Sequence, residues 1–241
     1  IQVPFEEAED LAKHLTTQAQ EQLDMPFMDV ELEAYFDYWM TASTKNRYFG
    51  IKTWPDSDKG KMKISGFEIK AANSAPISKR VQETAMQLVG MGADEDEVND
   101  AIRPISLSVK NGEIPIEELS PYGRIKNKFA KYKANVPLPV RAAKYYNDNL
   151  KPDEPFRPGD GAQWVFVKAV PEGMSNTVRV AHKTFDANVI AFRETSELDG
   201  FTLDYDTIVE KMIRAKLKNI YETMGWNLDT ASGAPVPEVY W

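Results

Sequence analysis

With no cysteine and only two histidines in 241 residues, the chain has no means of forming disulfides, thiolate metal sites or a thiol nucleophile. Neither His14 nor His182 has a second histidine at ligand spacing, so both read as structural residues. No apolar run approaches the length of a bilayer span. The sequence also lacks a glycine-rich phosphate loop and any Ser-His-Asp motif, and Gly90-Met91-Gly92 reads as a helix stop. Basic residues are outnumbered: 29 Lys and Arg stand against 37 Asp and Glu, for a net charge of −8. Averaged over the chain, that balance disfavours a polyanionic partner. What is present is 42% hydrophobic content with mixed charge, enough for one large domain or two small ones with a proper core.

The average conceals a strong pattern. Residues 1–37 hold ten acids and one lysine, and residues 92–118 hold eight acids against two basic groups. Residues 44–80 hold nine basic groups against three acids, and residues 119–146 hold seven basic groups and no acid. Two basic islands in an acidic chain point to one polyanion-facing surface on an otherwise repelling body.

Periodicity predicts a helix over residues 5–23, opened after Pro4 and closed by Pro26. Aromatic and β-favouring residues then predict an antiparallel meander over residues 28–70, packed on that helix. Thr44-Lys45-Asn46-Arg47-Tyr48-Phe49-Gly50 reads as a strand, which would place Lys45 and Arg47 on one face and Tyr48 on the other. Helices are expected at Ile77–Val89 and from about Asp94 to Val109, the latter kinked or split by Pro104. A basic helix around Arg124–Tyr132, a helix over Val140–Asn149, and strands at Ala162–Val167, Thr177–Ala181 and Val189–Phe192 follow. A last long helix, Tyr205–Met224, carries Ile208, Met212, Ala215, Leu217, Ile220 and Met224 as its buried stripe. Asp94-Glu95-Asp96 and Asp204-Tyr205-Asp206 open helices, where acids serve the dipole. Tyr145 and Tyr146 read as core or rim residues, and Trp39, Trp54 and Trp164 read as core, not as a ligand cage.

The order of motifs resembles the C-terminal third of an archaeal-type family B DNA polymerase. Lys45-Asn46-Arg47-Tyr48 is similar to the family's Lys-Lys-Arg-Tyr motif, with Asn46 in place of the second lysine. Gly66-Phe67-Glu68-Ile69, followed by Ile77-Ser78-Lys79-Arg80-Val81-Gln82, resembles the strand and helix that lead into the thumb. Lys131-Tyr132-Lys133 with Pro139-Val140-Arg141-Ala142-Ala143-Lys144, then Arg157-Pro158-Gly159-Asp160-Gly161, resembles segments of the thumb itself. The departures are Ala71-Ala72-Asn73 after the Gly-x-Glu-Ile strand and Leu138-Pro139 where the family has a Pro-His pair.

The resemblance implies an α+β chain: residues 1–75 as the C-terminal part of a palm (one helix and an antiparallel meander) and residues 76–241 as a mainly helical thumb with a small β insert. It implies that Lys45, Asn46, Arg47, Tyr48, Arg124, Lys126, Lys128, Lys131, Lys133, Arg141 and Lys144 grip a primer–template DNA duplex without regard to sequence. The family's metal-binding aspartates, including an Asp-Thr-Asp motif, have no counterpart here. The chain is therefore expected to bind no cofactor itself, while the complete polymerase uses Mg2+. Its expected partners are the duplex and the polypeptide carrying exonuclease, fingers and catalytic palm, and no membrane. It is expected to act inside a prokaryotic or virus-infected cell, as the small subunit of a split polymerase or as a fragment. The alternative reading is a helical protein-interaction module whose basic islands are merely solvated.

Overall fold

A computed structural model describes residues 4–42, 46–67, 69, 71–133, 135–150 and 152–231. These fall into two units, residues 4–41 with 46–66 and residue 42 with 67–231, each with its own core. The α+β class expected from the sequence is present: helices and antiparallel strands account for the architecture of both.

In the first unit, Pro4 supplies the preset backbone that opens helix α1, Phe5–Gln22. The meander follows as β1 (Tyr35–Thr41), β2 (Tyr48–Trp54) and β3 (Met62–Ser65), paired in that order. Register runs from Tyr35↔Trp54 to Thr41↔Tyr48 across the first pair, and from Tyr48↔Ser65 to Ile51↔Met62 across the second. Phe5 holds the helix to this sheet, with its ring 5.6 Å from Tyr35 and 5.5 Å from Trp54. Thr16 adds a polar tie, its Oγ1 accepting the Val30 N–H at 2.9 Å. Phe49, Met40, Ile64 and Ala19 are the buried apolar residues of this unit.

The second unit is built on helix α2, Pro76–Gly90, whose residues Ile77, Val81, Ala85 and Val89 recur every four positions and are all buried. Helix α3, Glu95–Lys110, starts at a capping box: Asp94 accepts the Glu97 N–H and Glu97 accepts the Asp94 N–H. It runs unbroken through Pro104, so the proline does not split it. Pro104 lies on the exposed face, so water can take the Asp100 carbonyl that the ring leaves without its helical donor. A single turn, α4 (Ile116–Leu119), leads to β4 (Tyr122–Arg124). Strand β5 (Gly161–Ala169) is buried from Trp164 to Val167, and it pairs with β4, β8 (Val189–Phe192) and β9 (Thr202–Leu203). Helix α5, Leu138–Asn149, packs on β8. A hairpin of β6 (Thr177–Val180) and β7 (Lys183–Asp186) completes the β insert.

The last long helix is not uniform. It begins as α6 (Tyr205–Ile208), widens into a π turn over Val209–Arg214 and continues as α7 (Ala215–Met224), which stops at Gly225 in the left-handed conformation. A further turn, α8, spans Leu228–Ala231. Both acid-led helix starts behave as read from the sequence, since Asp204 also caps its helix by accepting the Thr207 N–H at 3.0 Å.

Two segments differ from expectation. The predicted basic helix around Arg124–Tyr132 is instead β4 followed by an extended stretch and one 3-10 turn, Phe129–Lys131. Pairing of Tyr122–Arg124 with Gly161–Gln163 captures the start of that segment in the sheet, a tertiary choice that local pattern does not encode. The strand predicted to run to Lys70 ends at Ser65, because Gly66 turns the chain with φ +72°.

Candidate nucleic-acid interface

In the described part of the Lys45–Tyr48 motif, strand begins only at Tyr48. Lys45 lies outside the described residues, Asn46 sits in the left-handed region at φ 63°, and only Tyr48 enters β2. Asn is among the few residues that tolerate this conformation, which gives its replacement of the usual lysine a backbone meaning.

What fixes this turn is Gly66. A Cβ there would fall inside van der Waals contact of the Asn46 carbonyl oxygen and 2.8 Å from Arg47 Cγ, and the residue's positive φ also favours glycine. Thus the first residue of Gly66-Phe67-Glu68-Ile69 packs against the motif that precedes it by twenty residues. Tyr48 continues the arrangement by stacking on Trp39, with ring centroids 4.7 Å apart and planes at 24°. Trp39 is 46% exposed, which corrects its reading as core. Its indole N–H donates to Thr41 Oγ1 at 3.0 Å, so this aromatic ledge is oriented as well as accessible.

In the second unit the cations converge on a cleft of about 1000 Å³. Arg124, Lys126, Arg141, Lys211 and Lys216 line it together with Tyr122 and Tyr132, and among the described residues no Asp or Glu lines it. For a chain with net charge −8, five cations without one acid is a strong local inversion.

The cleft walls are positioned by short-range chemistry. The Arg157–Gly161 turn is closed by Asp160, whose carboxylate accepts the Arg157 N–H at 2.7 Å. Its backbone brackets Ile125, donating from Gly159 to the Ile125 carbonyl at 2.8 Å and accepting from the Ile125 N–H at Asp160 at 2.9 Å. Arg124 Nε donates to the Gly159 carbonyl at 3.3 Å. Gly161 leaves space for the Tyr122 phenol, because any Cβ there would collide with its hydroxyl. On the opposite side, Arg141 Nε donates to the Val136 carbonyl at 3.2 Å and its guanidinium lies 4.5 Å over the Phe185 ring. Burial lowers the Arg141 pKa from the usual arginine value, yet a guanidinium stays charged at any ordinary pH. Tyr132 accepts the Asn127 N–H at 3.1 Å, which ties down the segment bearing Lys126 and Lys128.

Of the residues expected to meet phosphates, Arg124, Lys126 and Arg141 are brought together in the cleft. Lys128, Lys131 and Lys133 are exposed on the adjoining segment and do not line it. Lys144 is engaged by Asp148 one helical turn on and does not line it either. Sequence reasoning does not single out Lys211 and Lys216. The available signal is the basic run Lys211, Arg214, Lys216 and Lys218, which helical spacing alone does not gather on one face. Arg80, in the segment Ile77–Gln82, forms an ion pair with Glu118 at 3.0 Å. Tyr145 and Tyr146 are buried core residues, with hydroxyls donating to the Ser175 carbonyl and to Glu197. Burial, then the Glu197 hydrogen bond, pushes the Tyr146 pKa up to about 12. Among the described residues no group of three or more His, Asp or Glu is placed to hold a metal ion. No helix among them is long and apolar enough to cross a membrane.

This arrangement defines an α+β chain with a cation-lined cleft. Comparison then supplies the family. The family model for DNA polymerase family B matches residues 3–223, and the chain belongs to that family. Among solved structures it is similar to the family B DNA polymerase from the hyperthermophilic archaeon Pyrobaculum calidifontis, at 17% identity and a TM-score of 0.57. The match covers 86% of this chain and 24% of that polymerase, so the chain spans about a quarter of the structure it resembles. A search of curated proteins finds no match.

Proposed function

We propose that this chain is the part of a DNA-directed DNA polymerase that holds the primer–template duplex, through contacts indifferent to sequence. The observation that carries the reading is a cleft whose described lining holds five cations and no acid, in a family B chain of net negative charge. Phosphate contacts position a duplex but carry no sequence information, which suits an enzyme that must translocate. Arg124, Lys126 and Arg141 act as phosphate contacts. Arg47, on its backbone-fixed turn, reaches the minor groove or sugar–phosphate edge, with Asn46 and Tyr48 beside it, and Lys45 joins them on sequence grounds. On the palm-and-thumb reading, these two sets belong to residues 1–75 and 76–241. Holding the terminus in place contributes to nucleotidyl transfer by positioning. The carboxylates that bind Mg2+ come from the remainder of the polymerase.

That remainder is also the protein partner, whether on the same polypeptide or another. The first unit exposes Leu11, Leu15, Leu23, Met25, Phe27 and Met28, with Phe27 fully exposed, while burying few apolar side chains of its own. Such a surface supports docking against further palm residues.

The test is fluorescence anisotropy of a labelled primer–template duplex titrated with the chain across a salt series. Sequence-independent binding with a steep salt slope is expected. In Arg124→Gln/Lys126→Gln/Arg141→Gln the log–log slope should fall by about three, roughly one for each phosphate that is no longer neutralised. An unchanged slope in that variant, or no binding at low salt, would overturn the reading in favour of a protein-interaction module.

A further inference from the structure

Among the described residues, Trp39 is the one large apolar side chain that the β1–β3 sheet leaves exposed, and the sheet is built to hold it that way. Register sets two cross-strand rows on its face: Thr41–Tyr48–Ser65, and beside it Trp39–Gly50–Lys63. Gly50 brings no side chain to the second row, so the indole lies over it and reaches Tyr48 on the diagonal. A Cβ at Gly50 would come within 2.8 Å of both Trp39 Cε3 and Phe36 Cδ1. A mid-strand glycine weakens a strand, and a cross-strand aromatic ring laid over it offsets that loss. Phe36 adds an edge contact, with ring centroids 5.0 Å apart. The indole is thus held by three neighbours, yet 46% of Trp39 stays open to solvent.

The surroundings decide what can lie on it. Thr41, Ser65 and Lys63, the last paired with Glu33 at 2.7 Å, leave an isolated aromatic surface in a polar rim. A protein partner needs a larger contiguous apolar patch. One apolar group of a polar ligand fits better. Tyr48 directly follows Asn46 and Arg47, so the aromatic pair adjoins the turn read above as reaching the sugar–phosphate edge of the duplex. Between its phosphates, that edge presents the C–H surface of its sugars. The indole also has no free group for a hydroxyl. Its single polar atom, the ring N–H, already donates to Thr41 Oγ1 at 3.0 Å. A ribose 2′-hydroxyl pressed onto this ring would lose water without gaining a partner.

We propose that Trp39, held flat by Tyr48 and Gly50, packs against a deoxyribose of the bound duplex and makes the grip selective for DNA over RNA in the contacted strand. This rests on the duplex-holding reading above and adds to it a contact made without charge.

The experiment titrates the full chain against three labelled duplexes of one sequence. One is all DNA, one carries a ribose strand, and one carries that strand as 2′-deoxy-2′-fluoro sugar, which keeps a ribose-like helix without the hydroxyl. Each strand is substituted in turn. For one of the two strands, the parent should bind the ribose duplex about tenfold more weakly than its fluoro counterpart. In Trp39→Ala that difference should vanish and DNA affinity should drop about tenfold, while the salt slope holds because no charge is removed. Trp39→Phe keeps an apolar ring and should keep the discrimination. A ring that only stabilises the sheet would instead lower every affinity by one factor and leave the ribose-to-fluoro ratio intact in Trp39→Ala, which sinks the proposal. If Trp39→Ala does not unfold cooperatively, Trp39→Arg decides. Its guanidinium stacks on Tyr48 but presents N–H donors to the hydroxyl, so the ribose penalty should disappear, and its persistence would count against the inference. Equal binding of ribose and fluoro duplexes by the parent, alongside a reduced salt slope in Arg124→Gln/Lys126→Gln/Arg141→Gln, overturns this inference alone. No duplex binding at low salt overturns the duplex-holding reading and this one with it.

Discussion

The two basic regions are built in opposite ways. Around Arg47, neighbouring residues are held in place by backbone: a left-handed Asn46 and a glycine packed against the turn from twenty residues away. In the cleft, cations from β4, the segment after it, α5 and the last long helix converge across more than ninety residues of sequence. A charge cluster contiguous in sequence is thus shaped by main-chain conformation. A cluster assembled in space depends on the packing of the elements that carry it. The first should fail when a Cβ is added, and the second when a charge or a packing partner is removed.

The largest expected effect is at Gly66. Gly66→Ala sets a Cβ against main-chain atoms that cannot move aside and imposes an unfavourable φ, together costing about 3 kcal/mol. Denaturant unfolding followed by Trp39 fluorescence should show this loss, and a midpoint equal to the parent's would remove backbone fixation from the account of the turn. Gly161→Ala sharpens the contrast, because there the obstacle is the Tyr122 ring, 52% exposed and free to swing outward. Its stability cost should be about 1 kcal/mol, at the low end for an overpacked site, while duplex affinity drops as the cleft wall shifts. Equal destabilisation at the two glycines would erase the distinction between them. Next, Asn46→Ala should cost about 1 kcal/mol from the left-handed backbone alone, measured by the same unfolding curve. A loss at Asn46 confined to DNA affinity would instead assign its side chain to the ligand.

The smallest effect expected is a pH dependence in the first unit. Hydrogen bonds from Lys52 and Lys61 hold the Asp58 carboxylate down at about 2, from an ordinary 3.8. A depressed carboxylate pKa stabilises the fold above the unfolded value and loses that contribution as pH falls toward the folded one. Asp58→Asn should therefore flatten the acid limb of the stability curve between about pH 4 and pH 2. The change should be slight, because both partners reach solvent. An acid limb identical to the parent's would assign the pH dependence to other carboxylates.

Much of this is legible in the sequence where local physics decides. The α2 stripe, the acid-led helix start at Asp94 and the run Val189–Phe192 each follow from spacing or composition, and the structure places them as expected. The family is legible from the order of motifs. Legibility fails where a distant segment chooses the conformation. Tyr122–Arg124 becomes a strand because Gly161–Gln163 is there to pair with it. The turn at Asn46 looks like strand because its positive φ, and the glycine that accommodates it, leave no mark on side-chain alternation. Lys211 and Lys216 are visible as charges, but their place in the cleft depends on how the last long helix packs against its neighbours. The site is half readable for that reason: its residue types show in composition, and its membership is settled by packing.

The close approach of Gly66 to Asn46 and Arg47 has a consequence for anyone recombining polymerase parts. A splice that takes the hairpin from one parent and the following strand end from another would join a donor loop to a foreign floor. Where that floor carries any side chain at the equivalent of Gly66, the loop must lift, and its arginine moves with it. The unit of exchange is therefore neither motif by itself but the whole stretch from Asn46 to Gly66, and domain borders drawn between them would cut through a single working part.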